Sequence, residues 1–193
     1  MKFIRIFFIL LASSSFCNAQ NGLLPMDERG KFIYYELVEA NGMAKEQLKE
    51  RVSIFFKRPF EDLKLKTIQG DTLFIAIGKL IINKTLLVMS HPSGEILFHF
   101  QTELKNDKFR FWLTNFNFIA YQRDRYGNFV ASTTKAVPLE DNPGKLNAGQ
   151  WKEYQIQAAK YATQFAKSFK DHMTSKQLAD QVVSEKVLVK KNW

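Results

Sequence analysis

The sequence predicts an α+β domain of two layers, in which an antiparallel five-stranded sheet carries two helices on one face. The prediction rests on the spacing of apolar residues, which alternates in some segments and recurs every three or four residues in others. In chain order these segments are strand, helix, four strands and helix. Each helix has one apolar stripe that needs a sheet face to cover it, so the other sheet face is expected to stay open.

The first half of the chain is predicted to contain one strand, then a helix, and then two further strands. A strand over 31–39 is rich in aromatic and β-branched residues, and a helix over 44–58 ends at Pro59. The strict alternation of 63–68 is typical of a half-buried edge strand. The nearly continuous apolar run 72–83 indicates a strand in the middle of the sheet.

A loop and a hairpin are predicted next. Residues 84–94 contain His-Pro-Ser-Gly and are interpreted as a loop, with a short extension of the preceding strand as an alternative at its start. The segments 95–105 and 108–119 flank Asn106-Asp107 and predict a hairpin with a tight turn. The turn pairs one set of residues on an apolar face, Leu104 with Phe109, Thr102 with Phe111 and Phe100 with Leu113. A second set shares the other face, Glu103 with Arg110, Gln101 with Trp112 and His99 with Thr114.

The last third of the chain contains a long connection, a helix and a tail. Residues 120–149 are polar and turn-rich, and a loop of this length is either functional or mobile. Apolar residues at helical spacing predict a helix from 151 to about 172. The tail, 174–193, adds a short helix around 176–184. One domain over 31–173 is therefore expected, preceded by an irregular lead-in at 20–30.

The chain begins with the features of a cleavable secretory signal. Lys2 and Arg5 precede a short apolar run, and Cys17-Asn18-Ala19 offers small residues to a signal peptidase, so cleavage is expected after Ala19. The protein is therefore predicted to be exported to the periplasm or beyond the cell. Phe16 argues against lipidation of Cys17, and an uncleaved membrane anchor is the alternative.

Loss of the signal changes the composition of the protein. Removing 19 residues from 193 leaves 174, enough for one core, and takes away Cys17, the only cysteine. The formal charge falls from +9 to +7 when Lys2 and Arg5 leave. This positive charge suits an anionic partner, membrane-surface contact or plain solubility. The mature chain has no thiol nucleophile, disulfide or cysteine metal site.

No catalytic or cofactor signature is present. The sequence has no Gly-rich phosphate loop, nucleophile elbow or paired metal-binding histidines. His91, His99 and His172 are not spaced to share a metal, and Ser90-His91-Pro92-Ser93 is interpreted as a turn. No catalytic residue, metal or cofactor is therefore predicted.

The open face of the predicted hairpin is the candidate binding site, because it combines a large aromatic residue with hydrogen-bonding groups. Its alternative is an ordinary solvated face, with the tryptophan covered by the long loop. The candidate residues are His99, Gln101, Arg110, Trp112 and Thr114, with Glu103 beside them.

Several short stretches resemble a family of exported bacterial domains of unknown function, DUF4468. These are Leu24–Asp27, Gly30–Tyr34, Gly42–Leu48, Ile77–Lys79, Asn106–Phe111 and Leu113–Phe116. The resemblance implies a TATA-box-binding-protein-like (TBP-like) fold and export, and brings no catalytic residues. Ala44 stands where the family usually has a capping serine, so a cap would come from Asn41 or be absent.

The function predicted is a non-catalytic binding module of the bacterial envelope, acting through the open sheet face or the long loop. Its partner would be an envelope protein, a glycan or a lipid, and not nucleic acid, since the protein is exported and the open face carries Glu103. The alternatives are a hydrolase or other enzyme with a non-standard site, and a structural protein assembled through the edge strand 63–68. The oligomeric state is left open.

Overall fold

The structure is a computed structural model, and it describes residues 22–58, 63–86, 89–132, 135–141, 144 and 147–175. The signal segment and the short helix predicted at 176–184 lie outside these residues. The elements are β1 (Ile33–Glu39), α1 (Lys45–Phe56), β2 (Leu63–Gln69), β3 (Leu73–Leu86), β4 (Met89–Lys105), β5 (Lys108–Arg123), β6 (Phe129–Ala131), β7 (Val137–Pro138) and α2 (Ala148–Thr174).

These elements confirm the predicted α+β class. The main strands are antiparallel neighbours in the order β1-β5-β4-β3-β2. The prediction of five strands was wrong, because two short strands, β6 and β7, also pair with β5 and make seven. Both come from 120–149, which was interpreted as a loop throughout. Strands of three and two residues are too short to show a periodic pattern.

Both helices pack on the same face of the sheet, as predicted. In α1, the ring of Phe56 lies 6.1 Å from that of Phe100 on β4. In α2, the ring of Phe169 lies 5.0 Å from Phe100 and 5.1 Å from Phe111 on β5. Phe55 joins the two helices, with its ring 5.0 Å from that of Phe169. The core between the layers is thus a cluster of phenylalanine rings held at edge-to-face distances.

The hairpin of β4 and β5 has the predicted register. Leu104 pairs with Phe109 and Phe100 with Leu113 on the helix-covered face, and Gln101 pairs with Trp112 on the other. The strands run further than predicted, and a bulge interrupts them where Asn115 adopts a positive φ of 55°.

The loop predicted at 84–94 was wrong. β3 continues to Leu86 and β4 begins at Met89, so Pro92 and Gly94 lie within a strand. Pro92 pairs with Asn83, directly beside a shift in register at Ile82. Such an irregularity accommodates a residue that lacks a backbone N–H, which is why the turn-like composition misled the prediction.

The N-terminus of α1 is capped by the hairpin turn and not by Asn41. The backbone N–H of Lys45 donates to Oδ1 of Asn106 at 2.9 Å, and the N–H of Gly42 donates to Oδ1 of Asp107 at 2.8 Å. The N–H of Ala44, the residue before the helix, donates to Oε1 of Gln47 at 3.0 Å. The cap comes from a residue 61 positions away, so the local sequence does not contain it.

Candidate functional site

The predicted site residues lie together on the sheet face opposite the helices. Pairing of β4 with β5 places Gln101 beside Trp112, and Glu103 beside Arg110. Pairing of β5 with β1 adds a neighbour to each of these rows, since Tyr35 pairs with Trp112 and Leu37 with Arg110. We call the surface formed by Tyr35, Leu37, Gln101, Glu103, Arg110 and Trp112 the open-face cluster.

Arg110 is held in place at the centre of this cluster. Its Nε donates to Oε2 of Glu103 at 2.6 Å, and the same carboxylate forms a salt bridge with its terminal nitrogen. The guanidinium also lies over the indole of Trp112, 5.8 Å from the ring centroid. Hydrogen bonds to Glu103, and then to Tyr35, raise the pKa of Arg110 above its ordinary value. The cation is therefore fixed and charged while nearly half of its side chain stays exposed.

Two predicted residues are less available than the hairpin pattern suggested. Thr114 is buried, and its hydroxyl donates to the carbonyl of Phe32 at 3.1 Å, so it serves the packing of β1. His99 is half-buried, with Nδ1 3.3 Å from the side-chain amide of Asn115 at the bulge. Gln101 and Trp112 are also half-buried, and Arg110 is the most exposed of the predicted residues.

The apolar part of this face was not predicted from the sequence. Tyr35 and Leu37 on β1 are each 52% exposed. On β3, the alternate residues on this face are half-buried, and all of them except Lys79 are apolar: Leu73, Ile75, Ile77 and Ile81. The signal was present in the continuous apolar run of 72–83, because such a run is typical of a strand covered on both faces.

A small depression of about 190 Å³ marks one corner of the open-face cluster. Tyr35 and Leu37 form its apolar side, and Lys105, Lys108 and Arg110 bring positive charge to its rim. A partner that binds here would meet both an apolar wall and cations.

Other kinds of site find little support in the described part of the chain. No three His, Cys, Asp or Glu residues are grouped there so that they could hold a metal ion. Among the helices that the structure describes, none is long and apolar enough to cross a bilayer.

The topology and the two packed helices define a class, the two-layer α+β domains with a TBP-like fold. A TBP-like protein from Parabacteroides distasonis has a similar structure, with a TM-score of 0.59 and 13% identity over 78% of this chain and 97% of that one. A DUF4468 family protein from Bacteroides ovatus is also similar, with a TM-score of 0.54 and 10% identity over 80% and 92%. At these identities the likeness shows the fold alone.

A sequence model of a family also matches. Residues 34–119 match the model described as domain of unknown function (DUF4468) with TBP-like fold, so this part of the chain is similar to that family. The resemblance noted in the short motifs is thereby confirmed. No curated protein matches the chain.

Proposed function

We propose that this protein is an exported, non-catalytic binding module that captures a partner in the bacterial envelope through its open sheet face. The observation that carries the proposal is the open-face cluster, in which an ordered arginine, its glutamate and two aromatic rings remain at the surface. Trp, Tyr and Arg are the residues most often responsible for binding energy at interfaces.

The apolar side chains of β1 and β3 support the same conclusion. Leu37 and Tyr35 are large and half-exposed, and the isoleucines of β3 extend the apolar surface across the sheet. Covering one such side chain completely gains about 1.5–3 kcal/mol, and partial covering gains less. Large apolar side chains grouped on one exposed face are typical of an interaction site.

The fixed position of Arg110 lowers the cost of binding. A flexible arginine loses conformational freedom when it contacts a partner, whereas this one is already held by Glu103 and Trp112. A protein, glycan or lipid partner fits the mixed surface. Nucleic acid fits it poorly, because Glu103 stands in the middle of the cluster.

Export is supported by the N-terminal pattern alone. A positive start, an apolar run too short to span a bilayer and small residues before Gln20 are the features that the secretory machinery reads. Measurement of the N-terminus of the protein from producing cells tests this part, and Gln20 is the expected first residue.

The binding proposal is tested by capture from an envelope fraction with tagged mature protein. The double variant Arg110→Ala/Trp112→Ala should lose most of the captured partner. A matched control is Arg125→Ala/Tyr126→Ala, which removes an exposed cation and an aromatic residue, 81% exposed, from another part of the surface. Capture that is equal for both double variants rejects the open face as the binding site.

A further inference from the structure

A second cavity lies on the helix side of the sheet, at the end remote from α1. It has a volume of about 420 Å³ and is bounded by the beginning of β4, the end of β5, β6 and the first turns of α2. Aromatic side chains form most of its wall: His91, Phe118, Tyr121, Phe129, Trp151 and Tyr154. The volume falls within the range of small-molecule sites in proteins.

The side chains that line this cavity include no Asp, Glu, Lys or Arg. The chain has 28 Lys and Arg and 19 Asp and Glu residues, so such a lining is unusual for it. Three other depressions in the described part of the surface each include at least one lysine. The lining therefore favours a ligand without formal charge.

The aromatic wall is held rigidly by contacts within the protein. The ring of Phe118 stacks on that of Tyr154 at 4.4 Å, and Trp151 meets Phe118 edge-on at 5.7 Å. The indole N–H of Trp151 donates to the carbonyl of Leu139 at 3.0 Å, which fixes the ring. A side chain at position 94 would collide with the ring of Phe118, so the ring can occupy this position only because residue 94 is a glycine.

The outer wall comes from the segment between β5 and α2. Phe129 on β6 stacks on His91 at 5.6 Å, and Arg123 lies over the Phe129 ring at 4.9 Å without lining the cavity. Tyr121 donates its hydroxyl proton to Glu95 at 2.8 Å, which fixes its ring at the edge of the cavity.

Neutral hydrogen-bonding groups complete the lining. The side-chain nitrogen of Gln150 lies 2.6 Å from the hydroxyl of Tyr154 and donates to it. Asn147 begins α2 without a side-chain bond to the helix. Ser93 donates to the carbonyl of Ile82 at 3.2 Å and keeps its acceptor capacity. The cavity thus offers amides and hydroxyls next to rings.

We propose that this cavity binds a neutral saccharide. A pyranose has apolar C–H faces that pack on aromatic rings and a rim of hydroxyls that need both donors and acceptors. An anionic ligand would find no cation in the lining, and a purely apolar ligand would make no use of the amides of Asn147 and Gln150. The inference rests on the proposed function as a binding module, and it assigns a glycan to the 120–149 side of the molecule.

The test is a calorimetric titration of the mature protein with defined neutral disaccharides: maltose, cellobiose, lactose, mannobiose and chitobiose. At least one should bind with a dissociation constant of about 1 mM or tighter. Gln150→Ala and Phe129→Ala should each weaken that binding about fivefold or more, through loss of a hydrogen bond and of ring contact. Both residues retain exposed surface, and thermal unfolding checks that the variants fold.

Gln69→Ala is the matched control, because it removes an exposed amide at the end of β2, away from this cavity, and should change the affinity less than about twofold. Absence of binding to every disaccharide at about 10 mM, or binding that neither variant weakens, overturns the proposal. The Arg110→Ala/Trp112→Ala variant separates the two sites, since it should lose envelope capture and keep the disaccharide. If this variant loses envelope capture but the wild-type protein binds no disaccharide, the saccharide site is contradicted and the open-face proposal is not.

Discussion

At the scale of single residues, the junction of α1 and α2 depends on a buried histidine and a buried arginine. Arg51 donates to the carbonyls of Met173 at 2.6 Å and Ser175 at 2.9 Å, which satisfies carbonyls at the end of α2. His172 lies 2.8 Å from the carbonyl of Arg51 through Nε2, and 2.6 Å from Arg58 through Nδ1. The neutral tautomer with a proton on Nε2 fits both contacts.

This arrangement predicts a loss of stability in mild acid. Burial first, and then the charges of Arg58 and Arg51, lower the pKa of His172 below its ordinary 6.5, although the bond to the Arg51 carbonyl opposes the shift. In mild acid, His172 takes up a proton more readily in the unfolded chain than in the folded chain. Its contribution to the free energy of unfolding is therefore complete above pH 6.5 and declines as the pH falls below that value. Chemical unfolding at pH 7.0, 6.0 and 5.0 measures this decline.

His172→Gln should reduce the decline between pH 7 and pH 5, because glutamine does not titrate there. His91→Gln is the control, since it replaces a histidine away from the helix junction and should leave the pH dependence of wild type. Equal pH dependence in wild type and His172→Gln would show that His172 is not its source.

At the scale of elements, the sequence predicted best where contacts are local. The register of β4 with β5 followed from the pairing of Glu103 with Arg110 across a two-residue turn, and the apolar stripes located both helices. Prediction failed where the local structure depends on a residue that is distant in sequence. Pro92 lies within a strand because β3 offers an irregular partner, and α1 is capped by Asn106 of the hairpin. Neither partner is visible in the neighbouring sequence.

The cap of α1 gives a prediction at this scale. Asn106→Ala removes the acceptor for the N–H of Lys45, and it should lower the free energy of unfolding by about 1 kcal/mol, as losses of helix caps do. Asn41→Ala is the control, since Asn41 is exposed and does not cap the helix, and it should change the free energy by less than about 0.5 kcal/mol. Urea unfolding of the two variants measures the difference. Equal free energies of unfolding would show that Asn106 does not stabilise the helix as its cap.

At the scale of the whole molecule, the open-face cluster could be predicted only in part. The hairpin gave Gln101, Arg110 and Trp112, because their neighbours are close in sequence. Tyr35 and Leu37 join them through the pairing of β1 with β5, which connects residues about 75 positions apart. The long loop 120–149 was predicted only as an alternative binding element, and the cavity beside it was not predicted, since β4, β5, β6 and α2 each contribute only a few of its residues.

Light-induced cross-linking tests the central claim, that the open sheet face is the surface that meets a partner. A photo-reactive phenylalanine analogue is placed at Tyr35 in the cluster and, as a control, at Tyr126, which is exposed elsewhere. An envelope adduct is expected from position 35. Unlabelled mature protein should compete for this adduct, and the Arg110→Ala/Trp112→Ala variant should not. Absence of an adduct from position 35, or equal adducts from positions 35 and 126, would contradict the central claim.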